Sequence, residues 1–279
     1  MRLSKRGKLV LNHLSIVPFL LFALFPLYWM IVTSFKKNSE LYDLSSIPFW
    51  IQKGATLQHY LYLFEKTDFL IWLRNTVIVS LLPTLIALCV SLPAAYALAR
   101  LKFRGAELCG TAIFAIYLMP PALLFIPLVK LVSFLKLSNT LWSLIITFPT
   151  FMIPFSTWML SAYFRTLPRE IEESALIDGC TRLQMIRKIM IPLSIPGVIT
   201  CSFFSFLLAW ENLIYVVTFV SSSTKKTISA GVVTELIRGD VFYWGSLMAG
   251  VVIASIPVVI AFVFLMDYYV SGLTAGATK

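Results

Sequence analysis

The stretch EESALIDGCTRLQMIRKIMIPLSIPG, residues 172–197, interrupts a chain that is otherwise strongly apolar. Acidic residues come first and basic residues second, with an Asp-Gly pair between them and two prolines near the end. Connections between packed helices are usually two to eight residues long, whereas this segment is longer and has the periodicity of a helix. A polar, amphipathic segment between apolar runs predicts a surface that another molecule binds.

The composition around this segment is that of an integral membrane protein. Of the 279 residues, 59% are hydrophobic and 13% are charged, about half the charged fraction of soluble domains. The mean hydropathy is +0.86. A water-soluble fold would leave too much apolar surface uncovered. In a membrane protein, a net charge of +10 is explained by cytoplasmic flanks and lipid headgroups, so no nucleic-acid partner is expected.

Six segments are long and apolar enough to cross a bilayer as helices. The predicted spans are about 14–34, 72–98, 109–131, 141–163, 196–219 and 245–270. The first apolar run is too long for a cleavable signal peptide, so we expect an uncleaved span. The predicted fold class is all-α, a polytopic membrane protein with six transmembrane helices in one domain over residues 1–279. Many of these segments contain prolines, which predicts kinked helices.

Basic residues predict the orientation of the chain. They cluster in residues 1–12, in residues 100–104 after the second span, and in residues 165–192. The positive-inside rule therefore predicts that both termini and the 165–192 segment are cytoplasmic. The segments 35–71 and 220–244 then lie outside, and their length and aromatic content predict small interfacial helices. Four cysteines without paired spacing and two distant histidines predict neither a disulfide framework nor a metal site.

The interrupting segment is predicted to form two helices. The first covers about 168–178, because an early proline and early acidic residues suit a helix N-terminus. Gly179 ends it by permitting left-handed backbone geometry. The second covers about 181–191, and Pro192 and Pro196 stop it before the fifth span. Two interfacial helices on lipid are an equal alternative on physical grounds alone. The acidic first helix, however, favours docking on a protein.

The segment resembles the cytoplasmic loop of ATP-binding-cassette importer permeases, with the pattern E-A-A, three residues, G, nine residues, I-x-L-P. Here the pattern is Glu173-Ser174-Ala175, Gly179 and Ile189-Met190-Ile191-Pro192, with serine and isoleucine replacing one alanine and the leucine. Other stretches are similar to the carbohydrate-importer branch of the MalG type: FPLYWMIVTSFK (25–36), NTVIVSLLPTLIALCVSLPAAYALARLKFRG (75–105), PREIEESALIDG (168–179) and GLTAGATK (272–279). Four motifs in this order, with six spans, carry the resemblance over nearly the whole chain.

The resemblance implies a permease subunit for the ATP-driven, binding-protein-dependent import of a sugar or oligosaccharide. It implies a cytoplasmic two-helix coupling loop at about 165–192 and a cytoplasmic tail at about 271–279, in a bacterial-type cytoplasmic (inner) membrane. The implied partners are a second homologous permease, two ATP-binding subunits, an extracytoplasmic solute-binding protein and the lipid bilayer. The first loop helix sits in a cleft on an ATPase subunit and transmits its closure, and segment 220–244 corresponds to the loop that probes the binding protein.

The resemblance also implies functional residues. Those that couple to the ATPase are Glu172, Glu173, Ser174, Ala175, Asp178, Gly179 and Pro192. Those of the tail that contact the ATPase are Gly272, Ala275, Gly276 and Lys279. The chain is not expected to be an enzyme, because it has no G-x-x-x-x-G-K-[ST] sequence to hold ATP phosphates. No catalytic residue, metal site or cofactor is expected here, and ATP and Mg are used by the partner ATPase.

A carboxylate inside the membrane is expensive and is a functional hypothesis by default. Glu211 lies in the fifth span and Asp267 near the inner end of the sixth, where an interfacial place is expected. Polar and aromatic side chains around Glu211 are the candidate sugar path, because sugars need hydrogen-bond partners and aromatic faces. This set is Ser202, Ser205, Phe206, Trp210, Glu211 and Asn212. A structural pairing of Glu211 with another span or with a partner subunit is the alternative.

Other functions remain as alternatives. Permeases for another small polar solute, such as an amino acid, a metal or phosphate, share the same loop. An ion-coupled secondary transporter would have inverted repeats and unwound Gly-rich segments, and the long polar loop would then be unexplained. An intramembrane enzyme would need a motif such as HExxH or a Gly-x-Ser turn, neither of which we recognise.

Overall fold

The structure, a computed structural model, describes residues 5–239 and 241–274, and most of them are helical. The first helices are α1 (Lys5–Phe35), α2 (Asn38–Leu41), α3 (Gln58–Lys66), α4 (Phe69–Arg100), α5 (Ala106–Leu118), α6 (Pro121–Phe134), α7 (Leu141–Thr147) and α8 (Pro149–Thr166). They are followed by α9 (Arg169–Ile177), α10 (Arg182–Met185), a π-helical turn (Ile186–Met190), α11 (Ile191–Leu193), α12 (Ile195–Trp210) and α13 (Ile214–Phe219). A 3₁₀ turn (Ser223–Lys225), α14 (Ile228–Leu236), β1 (Ile237–Arg238), β2 (Val241–Phe242) and α15 (Trp244–Thr274) complete the described chain.

The described helices fit a membrane protein. Four stretches are long and apolar enough to cross a bilayer: His13–Phe35, Phe69–Arg100, Leu141–Thr166 and Trp244–Tyr268. Two bent pairs qualify only when each pair is taken as one span. These are α5 with α6, bent by 95°, and Arg182–Leu193 with α12, bent by 72°. The predicted all-α membrane fold is confirmed, with four to six spans among the described residues.

Two predicted spans are wrong as continuous helices. The third, 109–131, breaks between α5 and α6 because Pro120 and Pro121 lack N–H groups and push Met119 into an extended conformation. The fifth, 196–219, breaks after Trp210. The side chain of Asn212 there accepts a hydrogen bond from the amide of Tyr215 at 3.0 Å, which helps start α13.

The second loop helix also extends further than predicted. The sequence predicts that Pro192 stops it, but the helical segment continues through Pro192 to Leu193. A π-helical turn precedes Pro192. This turn changes the hydrogen-bonding register and relieves the clash that proline makes with the carbonyl four residues before it. Ser194, with φ −91° and ψ 2°, ends the segment.

Both long segments expected outside the membrane contain short elements. Segment 35–71 contains α2 and α3, and segment 220–244 contains the 3₁₀ turn, α14 and an antiparallel hairpin. In the hairpin, Ile237 pairs with Phe242 and Arg238 with Val241. Apart from this short hairpin, the described regular structure is helical.

By its internal contacts the chain divides into two compact units, each of which is described separately. The first contains the described residues up to Phe69 together with Gly231–Ile256. His59 connects its helices: Nε2 lies 2.8 Å from the carbonyl of Lys36 and Nδ1 lies 3.3 Å from Oγ of Ser246. A side chain at Gly245 would collide with this ring at 2.1 Å. Burial lowers the pKa of His59, although the hydrogen bond to the carbonyl of Lys36 opposes this.

The second unit contains Leu70–Ala230 and the described residues from Pro257 onward. It has two buried apolar clusters. One contains side chains of α4, α6, α7, α8 and α13, with Phe148, Met152 and Tyr215 among its largest buried members. The other joins α4, α8 and α12 to the polar segment that the sequence singles out. The prediction of one domain over residues 1–279 stays a prediction.

Candidate functional site

Helix α9 ends in the glycine-dependent motif that the sequence predicts. Gly179 has φ +86°. Its amide donates to the carbonyl of Leu176 at 3.2 Å, and the amide of Cys180 donates to the carbonyl of Ala175 at 3.0 Å. These are the two hydrogen bonds of a Schellman motif. The space around a Cβ at Gly179 is open, so glycine is needed here for its backbone angle and not for lack of room.

The next helical segment starts with a capping box. The Thr181 hydroxyl accepts from the amide of Gln184 at 3.3 Å, and the Gln184 side chain accepts from the amide of Thr181 at 2.9 Å. This box satisfies backbone donors at the helix start. Two well-capped segments separated by Gly179 and Cys180 therefore form the predicted two-helix loop.

Glu172 joins α9 to the end of α4, and we call these contacts the Glu172 bridge. Its Oε1 lies 2.8 Å from Nε of Arg100, and its Oε2 accepts a hydrogen bond from the Tyr96 hydroxyl at 3.1 Å. The Arg100 side chain is 4% exposed and that of Glu172 is 13% exposed. The Nε–Oε1 contact is close but not aligned as a hydrogen bond, so it acts as an ion pair. Arg100 also donates to the carbonyl of Leu167, just before α9, at 2.6 Å.

Apolar packing adds to this bridge. Three buried side chains of the loop, Ala175, Met185 and Met190, belong to the same cluster as Tyr96, Leu160, Phe164 and Cys201. The rings of Tyr96 and Phe164 meet edge to face with centroids 5.9 Å apart. Interiors packed in this way transmit displacement because they have few voids. Helix α9 is therefore packed in one buried cluster with α4, α8 and α12.

The opposite face of α9 is exposed. Glu173, Ser174 and Asp178 lie on it, and Ile177 is 85% exposed. Leu183, in α10, is 64% exposed. Large apolar side chains that are exposed together and rimmed by polar residues are typical of surfaces that bind a protein or a membrane. They suit a pocket on a protein partner, with charges around its rim.

A half-open cavity of about 590 Å³ lies between the end of α4 and this loop. Its lining includes cations from both sides, Arg100, Lys102, Arg169 and Arg182, and the acids Glu172 and Glu173. Except for Arg100, these cations make no ion pair within the described residues. The cavity is thus basic, in contrast to the exposed tip of α9.

The structure places some of the candidate sugar-path residues on α12 and the others in the break that follows it. Ser205 is fully buried, with its hydroxyl 3.0 Å from that of Ser156 in α8. Phe206 and Trp210 lie on another side of α12, with ring centroids 5.1 Å apart. Ser202, one turn earlier, donates to the carbonyl of Val198 at 2.6 Å.

Glu211 and Asn212 lie in the break after α12. Glu211 is exposed, and within the described residues it makes no ion pair. The carbonyl of Asn212 accepts a hydrogen bond from Ser229 at 3.0 Å. A carboxylate where a helix ends is well placed to meet a polar solute or a partner, so both roles of Glu211 stay open. Asp267 is exposed on α15.

The remaining implied residues lie in two places. Pro192 is in α11, at the end of the two-helix loop. Gly272 is within α15, whereas Ala275, Gly276 and Lys279 lie outside the described residues.

Tyr96 and Arg100 are not among the functional residues that the sequence predicts. Their spacing of four residues places both on one face of an otherwise apolar helix. That pattern is a usable signal, since polar side chains at the end of a span need a partner. Arg100 was used only as one of the positive charges that predict the orientation of the chain. Its contact with the loop was therefore not predicted.

Comparisons with known proteins agree with this geometry. Residues 87–274 match the family described as binding-protein-dependent transport system inner membrane component. The chain is 35% identical to the sulfoquinovosyl glycerol transport system permease protein of Agrobacterium fabrum, covering 92% of this chain and 89% of that protein. It is 31% identical to the diacetylchitobiose uptake system permease protein of Streptomyces coelicolor, covering 100% of each. A crystal structure of a bacterial transporter that imports alginate is similar in fold, with a TM-score of 0.78, 19% identity and coverage of 96% of this chain and 99% of that chain.

Proposed function

We propose that this chain, which belongs to the family of binding-protein-dependent transport system inner membrane components, is the membrane-spanning subunit of an ATP-driven importer of a sugar or oligosaccharide. Its own part in transport is mechanical. Helix α9 receives movement from an ATPase subunit and passes it to the membrane spans. The hydrolysis of ATP, with its Mg ion, takes place on partner subunits.

The two-sided character of α9 is the observation that carries this proposal. Its inner side is fixed by the Glu172 bridge and by the packing of Ala175, while its outer side exposes Glu173 and Ile177. A helix that only lies on lipid would direct Ile177 into the membrane and would not need a buried ion pair to a span. A helix that transmits force needs both a rigid inner contact and an accessible outer one.

The substrate class rests on the relatives. Permease proteins of uptake systems for diacetylchitobiose and sulfoquinovosyl glycerol match nearly the whole chain. Both named solutes are glycosides. We infer a di- or oligosaccharide or a related glycoside as the cargo, delivered by an extracytoplasmic solute-binding protein. Half-buried Phe206 offers aromatic surface for such a solute, whereas Trp210 is only 6% exposed and packs against it.

The assembly inferred here consists of this chain, a second homologous permease and two ATP-binding subunits in a bacterial-type cytoplasmic membrane. Both termini and the two-helix loop are then cytoplasmic, as the clusters of Lys and Arg predict. The tail, including Ala275, Gly276 and Lys279, reaches the ATPase pair in this arrangement.

Cross-linking from the tip of α9 tests the docking. In a background with Cys89, Cys109, Cys180 and Cys201 replaced by Ala, Ile177→Cys places a single thiol at the exposed tip, and Thr166→Cys is an exposed control outside α9. Native membranes are treated with a short bismaleimide, and proteins attached to this chain are identified by mass spectrometry. We expect an ATPase with a phosphate-binding loop on position 177 and none on position 166. A thiol at 177 that reacts with a small maleimide but captures no ATPase contradicts the docking.

Uptake measurements test the cargo. Vesicles with the complete transporter, its binding protein and internal ATP should accumulate labelled disaccharides or glycosides. Amino acids and phosphate serve as competitors. Competition by an amino acid, without competition by any sugar, would reassign the substrate class while leaving the ATP-driven mechanism intact.

A further inference from the structure

Residues 36–53, which we call the 36–53 loop, turn back along α1 instead of leaving it. The Tyr28 hydroxyl donates a hydrogen bond to the carbonyl of Phe49 at 2.6 Å. The ring of Phe49 lies with its centroid 5.6 Å from that of Trp29 and 6.1 Å from that of Phe25. The non-helical end of the loop therefore lies beside the body of a membrane span.

The depth of this contact follows from helix geometry. At 1.5 Å per residue, Trp29 and Phe25 lie about 9 and 15 Å before Phe35, the last residue of α1. Helix α1 has 31 residues and is about 46 Å long, close to the thickness of a bilayer with both headgroup regions. Each headgroup region is about 5–8 Å thick. Phe49 thus lies at the outer edge of the hydrocarbon, at the C-terminal end of α1.

Backbone at this depth needs hydrogen-bond partners within the protein, because lipid offers none. Nζ of Lys36 donates to the carbonyl of Ile47 at 2.8 Å and pairs with Glu40 at 3.1 Å. The Glu40 carboxylate accepts from the amides of Gln52 and Lys53, each at 3.0 Å. The side chains of Lys36 and Glu40 are 3% and 0% exposed. The loop therefore encloses both charged side chains, and both form hydrogen bonds with its backbone.

The exposed surface of the loop is mostly apolar, and the 32% exposed carboxylate of Asp43 is paired with Lys53 at 2.8 Å. The exposed large side chains of the loop are Tyr42, Leu44, Ile47, Phe49, Trp50 and Ile51. Leu44 is fully exposed and Trp50 is 63% exposed. Tyr and Trp are typical of the membrane–water interface. This surface is continuous with α1, in which every residue from 13 to 27 is exposed.

We propose that residues 42–51 form a lipid contact: a non-helical segment that enters the leaflet at the C-terminal end of α1, with Trp50 and Leu44 against lipid. Lys36 and Glu40 form the hydrogen bonds with the loop backbone that lipid cannot provide. Water or a docked protein would offer polar partners to the backbone, so the enclosed ion pair and the mostly apolar exterior favour lipid as the occupant. The segment then anchors the start of the loop without crossing the membrane.

Spin-label accessibility tests the proposal in lipid vesicles. In a background with Cys89, Cys109, Cys180 and Cys201 replaced by Ala, single cysteines are introduced as Trp50→Cys, Phe22→Cys and Ala55→Cys and labelled with a nitroxide. Phe22 is 84% exposed on α1 and is the lipid reference. Ala55, exposed where the loop returns to the end of α1, is the water reference.

The ratio of collisions with oxygen to collisions with a water-soluble nickel chelate decides the outcome. We expect the ratio at position 50 to shift toward that at position 22. A ratio like that of position 55 overturns the proposal in favour of water, and low collision rates with both reagents overturn it in favour of a protein partner.

A second measurement uses the assembled transporter with its native cysteines. Phospholipids carrying a photoreactive group near the headgroup are incorporated into the vesicles, and adducts are mapped by mass spectrometry. Adducts on peptides covering 42–51 are expected. Their absence, while adducts form on α1, contradicts the lipid contact even if the cysteine-free chain fails to fold.

Discussion

Replacing Arg100 by Gln should uncouple ATP hydrolysis from transport. The substitution removes the cation of the Glu172 bridge and the hydrogen bond to the carbonyl of Leu167. It leaves the Glu172 carboxylate 13% exposed, with the Tyr96 hydroxyl as its remaining partner among the contacts described above. Helix α9 should then separate from the end of α4 more readily when an ATPase moves it.

The magnitude follows from burial. Removing one partner of a buried ion pair costs about 3–5 kcal/mol, and the imperfect alignment of Arg100 with Glu172 favours the lower end. Since about 1.4 kcal/mol corresponds to a tenfold change, about 3 kcal/mol lowers the ratio of bridged to separated α9 more than a hundredfold. Tyr96→Phe removes one hydrogen bond to a charged group, worth about 1.5–3 kcal/mol, and should have a weaker effect of the same kind.

The assay measures sugar uptake and ATP hydrolysis by the same vesicles. For Arg100→Gln we expect the sugar imported per ATP to fall while the assembled complex and its ATP hydrolysis persist. Arg104→Gln is the control, because Arg104 is exposed and carries the same charge just beyond α4. Arg100→Gln with Glu172→Gln should be less impaired than Arg100→Gln alone, since no unpaired charge remains. Equal coupling in Arg100→Gln and Arg104→Gln would refute the bridge as a mechanical link.

Three further predictions concern single positions. Gly179→Ala forces an L residue to φ +86°, which costs about 1–2 kcal/mol, and should therefore reduce uptake. Gly110→Ala is the control and should not reduce uptake, because Gly110 is unstrained and a Cβ there meets open space. Glu40→Gln leaves Lys36 without its anionic partner and should destabilise the chain to heat by about 1–3 kcal/mol. A destabilisation no larger than that of Asp43→Asn, whose ion pair with Lys53 is partly open to solvent, would contradict this. Burial lowers the pKa of His59 below its ordinary value of 6.5, so the folded protein favours the neutral ring. The stability that His59 contributes is therefore complete above about pH 6.5 and declines as the pH falls toward the folded-state pKa. Thermal unfolding between pH 5 and 8 should show this decline, and His59→Gln should reduce it.

Local rules predicted much of the fold and of the loop. Apolar runs located the spans because lipid requires a helix of about 20 residues. The Asp-Gly pair predicted the end of α9, since a left-handed residue is needed there. The two helices of the loop begin where the sequence predicts them, although the second continues past Pro192. These features depend on neighbours in the sequence, which a single chain displays in full.

Features that depend on distant partners were not predictable in the same way. Glu172 and Arg100 are 72 positions apart in the sequence, and the residues around each of them do not predict that the two side chains meet. The break after Trp210 was missed because residues 213–219 are again apolar, so that the polar pair Glu211 and Asn212, which marks the break, was taken as part of one span. Pro192 was expected to end a helix, but a π-helical turn accommodates it, and nothing in the local pattern distinguishes the two outcomes.

The breaks at Ser194 and after Trp210 make α12 a separate 16-residue helix. One side of α12 packs on α8 through the buried pair of Ser205 and Ser156. Its first turns share the loop's apolar cluster through Cys201. A displacement of α9 therefore reaches α12 at the end nearer the loop, while Trp210 and Glu211 lie at the other end. Since packed helices shift by sliding as units, a small movement at the loop would change the position of Glu211, where the candidate sugar path leaves the helix.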